Sequence, residues 1–216
     1  GLRTEKQKAL SSKRDNTWYA YTFSNNQITE MPLGRGRDVT YLNLVIDEFR
    51  NEAVLTGFYS DKESFVGAGI LHGRMKLEGD TTILSQYISI DASQNLRLKG
   101  ARNNGESGGL ATFPVRKTIP RGDGGVAIIA ESAYTTEYSY FDSFSQTYTR
   151  RLEYNFGDIV VFSLNNVGNL QWSASVNKEQ SSMDDGGIFS SYCMLVGSHR
   201  LDFLFSEPIS KKAKVL

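Results

Sequence analysis

The chain has 216 residues, with 24 basic and 24 acidic side chains and 39% hydrophobic residues. Zero formal charge argues against nucleic-acid binding as the main task, because neutralising phosphates needs a basic excess. The apolar content is typical of globular proteins and does not indicate a disordered chain. No apolar run approaches the roughly 18 residues that a membrane-spanning helix needs. The length suits one large β domain or two small ones.

The N-terminal segment over 1–16 is polar and lacks an apolar rhythm, which predicts a flexible lead or one short helix. From Thr17 onward, short runs of β-branched and aromatic residues are broken by Gly, Asn and Asp, a pattern typical of strands. No segment keeps the 3.6-residue period of a long amphipathic helix. The pattern predicts one all-β domain over 17–207, a loop at 103–109 and a C-terminal tail over 208–216.

Several segments of the chain resemble one another, and they form two sets. The first set is 51–60, 124–134 and 198–207, and the second is 69–80 and 157–168. A repeated unit of about four short antiparallel strands is the blade of a β-propeller. The sequence therefore predicts a propeller-like array, incomplete or part of a larger propeller, with a β-sandwich as the alternative fold. The predicted units are 17–33 (partial), 40–90, 110–176 and 187–207 (partial).

One strand–turn–strand segment, 163–172, carries three residues with expected structural roles. Asn165 is expected to cap the turn, Gly168 to take a positive φ, and Trp172 to pack between blades. The segment distantly resembles the blade signature of quinoprotein-type propellers, although its turn is one residue shorter. Quinone binding is not carried over, and we expect no cofactor.

A wider pattern joins Asp123-Gly124-Gly125 at a strand start, Asp158 at the start of a Val-rich strand, and Trp172 in the returning strand. This pattern resembles an uncharacterised group of bacterial cell-envelope and secreted proteins with β-propeller-like repeats. The resemblance covers under half of the chain and implies no activity. It implies a periplasmic, outer-membrane-associated or extracellular location. Gly1 in place of Met fits a processed chain from which an export signal could have been removed.

The segment 132–154 is an insertion relative to the first complete unit, and its residues alternate with period two. It predicts a long β-hairpin centred near Phe144. The expected cross-strand pairs are Tyr140–Tyr148, Tyr138–Arg150, Glu137–Arg151 and Tyr134–Tyr154. This register would place a Tyr stripe with one Arg on one face and the Glu137–Arg151 ion pair on the other.

The Tyr stripe is the candidate binding surface, because Tyr offers a rigid amphipathic contact area. A glycan or a protein partner would contact it; alternatively, the stripe packs on a neighbouring blade or on a second subunit. A homo-oligomer through exposed sheet edges is a further expectation. The candidate contact residues are Tyr134, Tyr138, Tyr140, Phe144, Tyr148, Arg150 and Tyr154.

Beyond the hairpin, the sequence has few candidate catalytic or metal-binding residues. His72 and His199 are the only histidines, and no metal-ligand spacing appears, so we expect no metal site. The stretches Asp123-Gly124-Gly125 and Asp184-Asp185-Gly186-Gly187 could offer oxygens to Ca²⁺, but tight turns use the same residues without a metal, and we expect turns here. Cys193, in an apolar run, is expected to be a buried inert thiol.

Two functions therefore compete. The first is a non-catalytic binding or scaffold module of a bacterial envelope or secreted protein, which contacts a glycan or protein through the hairpin. The second is a glycan hydrolase using Glu131, Asp158 or Asp184, which requires two carboxylates about 5 to 10 Å apart in one pocket. A purely structural segment of a larger array is a third possibility.

Overall fold

The computed structural model describes residues 2–6, 16–24, 27–33, 37–61, 67–78, 84–90, 113–144 and 146–206. Within these ranges the chain forms fourteen β-strands and no helix, which confirms the all-β class. No helix in the described ranges could therefore cross a membrane. The predicted loop at 103–109 and the predicted tail over 208–216 lie outside the described residues.

The strands form four antiparallel sheets, each built from strands that follow one another in the chain. Sheet I contains β1 (Leu2–Lys6), β2 (Asn16–Ser24) and β3 (Gln27–Leu33). Sheet II contains β4 (Arg37–Asp47), β5 (Glu52–Asp61), β6 (Gly67–Lys76) and β7 (Leu84–Ser89). Sheet III contains β8 (Val115–Pro120), β9 (Val126–Asp142), β10 (Thr147–Leu164), β11 (Leu170–Val176) and β12 (Gln180–Met183). Sheet IV contains β13 (Cys193–Val196) and β14 (Leu201–Leu204).

The central strands of sheets II and III are buried on both faces. Every residue over 53–60 of β5 is buried, and so are 126–132 of β9 and 158–164 of β10. Such continuous apolar runs are typical of strands covered on both sides. Each of these sheets must therefore be covered by another layer on each face.

Sheets II and III cover each other with one shared apolar core. Val54, Phe58 and Ile70 of sheet II pack with Ile128 and Phe162 of sheet III, among other residues. The rings of Phe58 and Phe162 meet edge to face with their centroids 5.9 Å apart. Strands β4 and β5 of sheet II also lie beside β8 of sheet III.

Sheets I and IV cover the two remaining faces. Trp18 of sheet I packs against the other face of sheet II, and its Nε1 donates a hydrogen bond to the carbonyl of Val39 at 2.9 Å. On the other face of sheet III, Ile159 and its neighbours pack against Met194 and Phe203 of sheet IV. The four sheets therefore stack face to face in chain order.

The turn between β10 and β11 follows the sequence expectation. Asn165 Oδ1 accepts hydrogen bonds from the backbone N–H groups of Val167 at 3.1 Å and Asn169 at 2.8 Å. Gly168 has a φ of 86° and donates its N–H to the carbonyl of Asn165 at 3.0 Å. The predicted cap and the predicted positive φ are both confirmed.

The turn between β8 and β9 has the same hydrogen-bond pattern. Gly124 also has a φ of 86°, and its N–H donates to the carbonyl of Arg121 at 3.0 Å. Asp123 Oδ1 accepts from the N–H of Gly125 at 2.9 Å, and this bond, foremost among its causes, lowers the pKa of Asp123. Arg50 of sheet II donates to the carbonyl of Gly122 at 2.7 Å, which ties this turn to the neighbouring sheet.

Outside the hairpin, three sequence expectations differ from the structure. Residues 2–6 pair with β2 as a strand, where a flexible lead or short helix was expected. Trp172 does not pack between sheets: it lies opposite Ser163 but is 49% exposed. Val176, further along β11, instead packs against the buried cluster that contains Ile159. Cys193 is exposed. Side chains alternate along β13, and Met194 packs against sheet III, so the adjacent Cys193 side chain points away from it.

A substitution at Gly168 tests the close contact between sheets II and III. A Cβ at this position would lie 3.0 Å from Cδ2 of His72 and would collide with the side chain of Gln86. A left-handed backbone also costs a non-glycine residue about 1–2 kcal/mol. We expect Gly168→Ala to lower the free energy of unfolding in urea by about 2 kcal/mol or more.

Gly122→Ala is the matched control, because a Cβ there meets nothing within 4 Å. We expect it to change the free energy of unfolding by less than about 0.5 kcal/mol. Equal effects of the two substitutions would contradict the close packing of this turn on sheet II.

Candidate functional site

The predicted hairpin is present and extends well beyond its sheet. Strands β9 and β10 have 17 and 18 residues, longer than every other strand described. β8 pairs with β9 only over 126–130, and β12 pairs with β10 over 153–156. Among the described residues, 138–142 and 147–151 therefore pair only with each other, as a two-stranded ribbon.

The register of the hairpin differs from the expected one by one residue. Tyr138 lies opposite Arg151 and Tyr140 opposite Thr149, whereas Arg150 and Tyr148 were the expected partners. The cause is the turn, which has four residues between Asp142 and Thr147. A shift of one residue moves every side chain of one strand to the other face relative to its partner strand.

Two separate aromatic surfaces therefore replace the single Tyr stripe that was predicted. With this register, one face carries Tyr134, Tyr138, Tyr140 and Arg151, and we call it the tyrosine face. The opposite face carries Phe141, Tyr148, Tyr154, Arg150 and Glu137, and we call it the phenylalanine face. The predicted Glu137–Arg151 ion pair is wrong: Glu137 pairs with Arg150 instead.

Aromatic side chains of the ribbon remain accessible to solvent. Tyr138 and Tyr140 are each 46% exposed, and Tyr148 is 77% exposed. At the tip, Phe144 is 98% exposed, and its backbone N–H donates to Asp142 Oδ1 at 2.9 Å. Since monomeric proteins rarely leave such clusters uncovered, the ribbon is a candidate contact surface.

Polar groups accompany the rings of the tyrosine face. The hydroxyl of Tyr138 donates to Glu153 Oε2 at 2.8 Å, and this hydrogen bond raises the pKa of Tyr138. Arg151 Nε lies 3.8 Å from Asp184 Oδ2. On the phenylalanine face, the rings of Phe141 and Tyr148 pack on each other with centroids 5.2 Å apart.

A second polar centre lies at the base of the hairpin, where sheet III meets the segment before β13. Glu131 is fully buried, and Lys178 Nζ lies 2.7 Å from its Oε1. Arg116 Nη2 lies 3.0 Å from Glu131 Oε2, and the hydroxyl of Ser191 donates to the same oxygen at 2.7 Å. One buried carboxylate is thus shared by two cations and a hydroxyl.

Backbone and side-chain hydrogen bonds hold this centre together. Gln180 Oε1 accepts from Lys178 Nζ at 2.8 Å and from the backbone N–H of Ser191 at 2.7 Å. Burial lowers the pKa of Lys178, and the hydrogen bond to Glu131 opposes that shift. Burial, followed by the charge of Glu131, raises the pKa of Tyr192 to about 12.

The buried centre borders an open groove of about 380 Å³. Arg116 and Lys117 of β8 line the groove together with Phe156, Ser191 and Tyr192, among others. None of the lining residues is acidic. Ser191 has a φ of 74°, which is uncommon for a residue other than glycine and is tolerated when the surroundings hold the residue in place.

The three carboxylates considered for hydrolysis do not meet in this groove. Glu131 is engaged by Lys178 and Arg116, and Asp158 Oδ1 accepts from the backbone N–H of Lys178 at 3.1 Å. Asp184 Oδ1 accepts from the N–H of Leu152 at 2.8 Å, at the base of the ribbon.

The Asp-Asp-Gly-Gly stretch at 184–187 forms a hydrogen-bonded turn. Asp185 Oδ1 accepts from the hydroxyl of Ser182 at 2.7 Å and from the N–H of Gly187 at 2.8 Å, and these bonds lower the pKa of Asp185. In the described part of the chain, no three His, Cys, Asp or Glu side chains are grouped so that they could hold a metal ion.

Sequence reasoning missed Arg116, Lys178, Gln180 and Ser191. Glu131 stood out only as an acid after the apolar run 126–130, and its partner Lys178 lies in a polar stretch with no local signal. Comparison of the chain with family models, with curated proteins and with solved structures gave no match.

Because Glu131 and Lys178 form a buried ion pair, we expect Glu131→Gln to destabilise the protein strongly. This substitution leaves Lys178 and Arg116 without a compensating charge, and breaking a buried pair costs about 3–5 kcal/mol. We expect the free energy of unfolding in urea to fall by about 3 kcal/mol.

Glu137→Gln is the matched control, because it removes the exposed ion pair with Arg150 in the hairpin. We expect a loss below about 1 kcal/mol. A Glu131→Gln variant as stable as the control would show that the buried carboxylate does not hold this region together.

Proposed function

We propose that the four sheets are units of a propeller-like array. The self-similar segments 51–60, 124–134 and 198–207 overlap β5, β9 and β14, each the second strand of its sheet. The segments 69–80 and 157–168 overlap β6 and β10, the third strands. Face-to-face stacking in chain order, with β4 beside both β2 and β8, supports blades around a common axis. A sandwich of sheets II and III alone would leave the packing of sheets I and IV unexplained.

We further propose that the chain is a binding or scaffold module of a bacterial envelope or secreted protein. The support for the binding role is the two-stranded ribbon, on which the rings of Tyr138, Tyr140, Phe141 and Tyr148 remain exposed. The proposed location rests on the pattern formed by Asp123-Gly124-Gly125, Asp158 and Trp172.

The tyrosine face suits a glycan. Tyr138 and Tyr140 offer ring faces for the apolar side of a sugar, and Arg151 and Glu153 beside them supply hydrogen-bond donors and acceptors for its hydroxyl groups. Because the ribbon is a paired antiparallel hairpin, the rings are held in fixed positions before a ligand arrives, which lowers the entropic cost of binding.

The phenylalanine face suits a protein partner. Phe141 packs on Tyr148 there, and Phe144 at the tip carries no polar group that would pair with a sugar hydroxyl. Exposed aromatic anchors of this kind dominate the binding energy of many protein interfaces.

A glycan array tests the assignment with two paired variants. We expect Tyr138→Ala with Tyr140→Ala to weaken the glycan signal about tenfold or more, since truncation of anchor residues has effects of this size. Phe141→Ala with Tyr148→Ala is the matched control and should keep the signal. Both variants should keep the thermal midpoint of the parent protein, because the ribbon lies outside the core.

Two results would contradict this proposal. If the parent protein gave no signal on the array, glycan binding would be excluded at the concentrations used. If the Phe141 and Tyr148 variant lost the signal while the Tyr138 and Tyr140 variant kept it, the wrong face would have been assigned.

A further inference from the structure

The groove at the base of the hairpin has features of a built site that is separate from the ribbon. β8 pairs Val115 with Ala130 and Lys117 with Ile129, so Arg116 is an extra residue that forms a β-bulge. In a regular strand, neighbouring side chains point to opposite faces. The bulge instead lets Arg116 and Lys117 line the same groove. Bulges often re-aim side chains next to functional sites.

The charge balance around the groove is positive. Arg116 and Lys178 pair with the carboxylate of Glu131, and Asp158 accepts the backbone N–H of Lys178. Lys117 adds a third positive charge on the wall of the groove. Within the described part of the chain, Lys117 has no ion-pair partner and is exposed. Arg116 contacts Glu131 through Nε and Nη2, which leaves Nη1 for another acceptor.

Aromatic side chains provide the apolar part of the groove. Phe156 and Tyr192 both line it, and the Arg116 guanidinium carbon lies 5.8 Å from the centre of the Phe156 ring. The backbone at Gly187 approaches that ring closely enough that a Cβ there would lie 2.7 Å from Phe156 Cε2. The groove therefore combines flat apolar contact with unneutralised positive charge.

We propose that this groove binds an organic anion: a carboxylate carried on a six-membered ring. The carboxylate would bind Lys117 and the free Nη1 of Arg116, and the ring would pack on Phe156 and Tyr192. Ser191, held by Glu131 and Gln180 in its uncommon backbone conformation, completes the wall of the groove. A uronic acid and an aromatic acid share this chemistry.

Ligand-observed NMR titrations with two matched pairs of probes test the proposal. The sugar pair is galacturonate and galactose, and the aromatic pair is benzoate and benzyl alcohol. We expect at least one acid to bind and its neutral counterpart to bind at least about tenfold more weakly. The pair that shows the difference identifies the source of the ring.

Lys117→Gln tests the residues, and Lys76→Gln is the matched control, because Lys76 is also exposed but lies on sheet II and does not line the groove. We expect Lys117→Gln to weaken binding of the acid about three- to fivefold and the control to leave it unchanged. Neither substitution removes a contact of the buried Glu131 centre, so both proteins should keep the thermal midpoint of the parent.

Three outcomes would overturn the proposal: no binding of either acid at millimolar concentration, no preference for the acid in either pair of probes, or equal weakening by Lys117→Gln and Lys76→Gln. The titrations use the Tyr138→Ala, Tyr140→Ala variant as the background, because the tyrosine face is itself proposed to bind sugars. All three outcomes are then independent of the hairpin.

Discussion

The apolar core shared by sheets II and III is the contact on which the remaining structure depends. Val54, Phe58 and Ile70 reach Phe162 and its neighbours across this interface. A single sheet with apolar residues on both faces cannot stay in water, so each sheet requires another on either side. Sheets I and IV meet that need. The interface also contains a polar pair: the hydroxyl oxygens of Thr56 and Thr118 lie 2.5 Å apart within it.

The hairpin and the Glu131 centre depend on this core in different ways. The buried halves of β9 and β10 anchor the strands, so that the outer halves can project as a ribbon without a core of their own. Glu131 lies where β9 leaves the core, and Lys178 reaches it from the segment after β11. Burying this ion pair costs desolvation free energy. Its own attraction offsets that cost only together with the hydrogen bond that Ser191 donates to Glu131 and the one that Gln180 accepts from Lys178. The Glu131–Lys178 pair thereby holds the segment after β11 against sheet III, next to the groove.

Local patterns in the sequence predicted strands, turns and the hairpin, because alternation and Gly or Asn turns act over a few residues. Asn165 and Gly168 could be assigned for the same reason. The hairpin register could not be derived, since it depends on turn geometry, including the positive φ of Gln146. The Glu131–Lys178 pair joins positions 47 residues apart in sequence and carries no local signal. The exposure of Trp172 likewise depends on how far sheet IV extends over sheet III.

His72 reports directly on whether sheets II and III exclude water. It is 3% exposed on β6 opposite Thr56, and burial, followed by the charge of Arg74, lowers its pKa from 6.5 to about 4. Because the unfolded chain binds this proton at higher pH, the free energy of unfolding falls as the pH drops from 6.5 toward 4. NMR titration of the His199→Gln variant leaves His72 as the one imidazole to follow. We predict that its ring resonances keep their neutral position down to about pH 5; a midpoint near 6.5 in the folded protein would contradict a water-excluding interface between the two sheets.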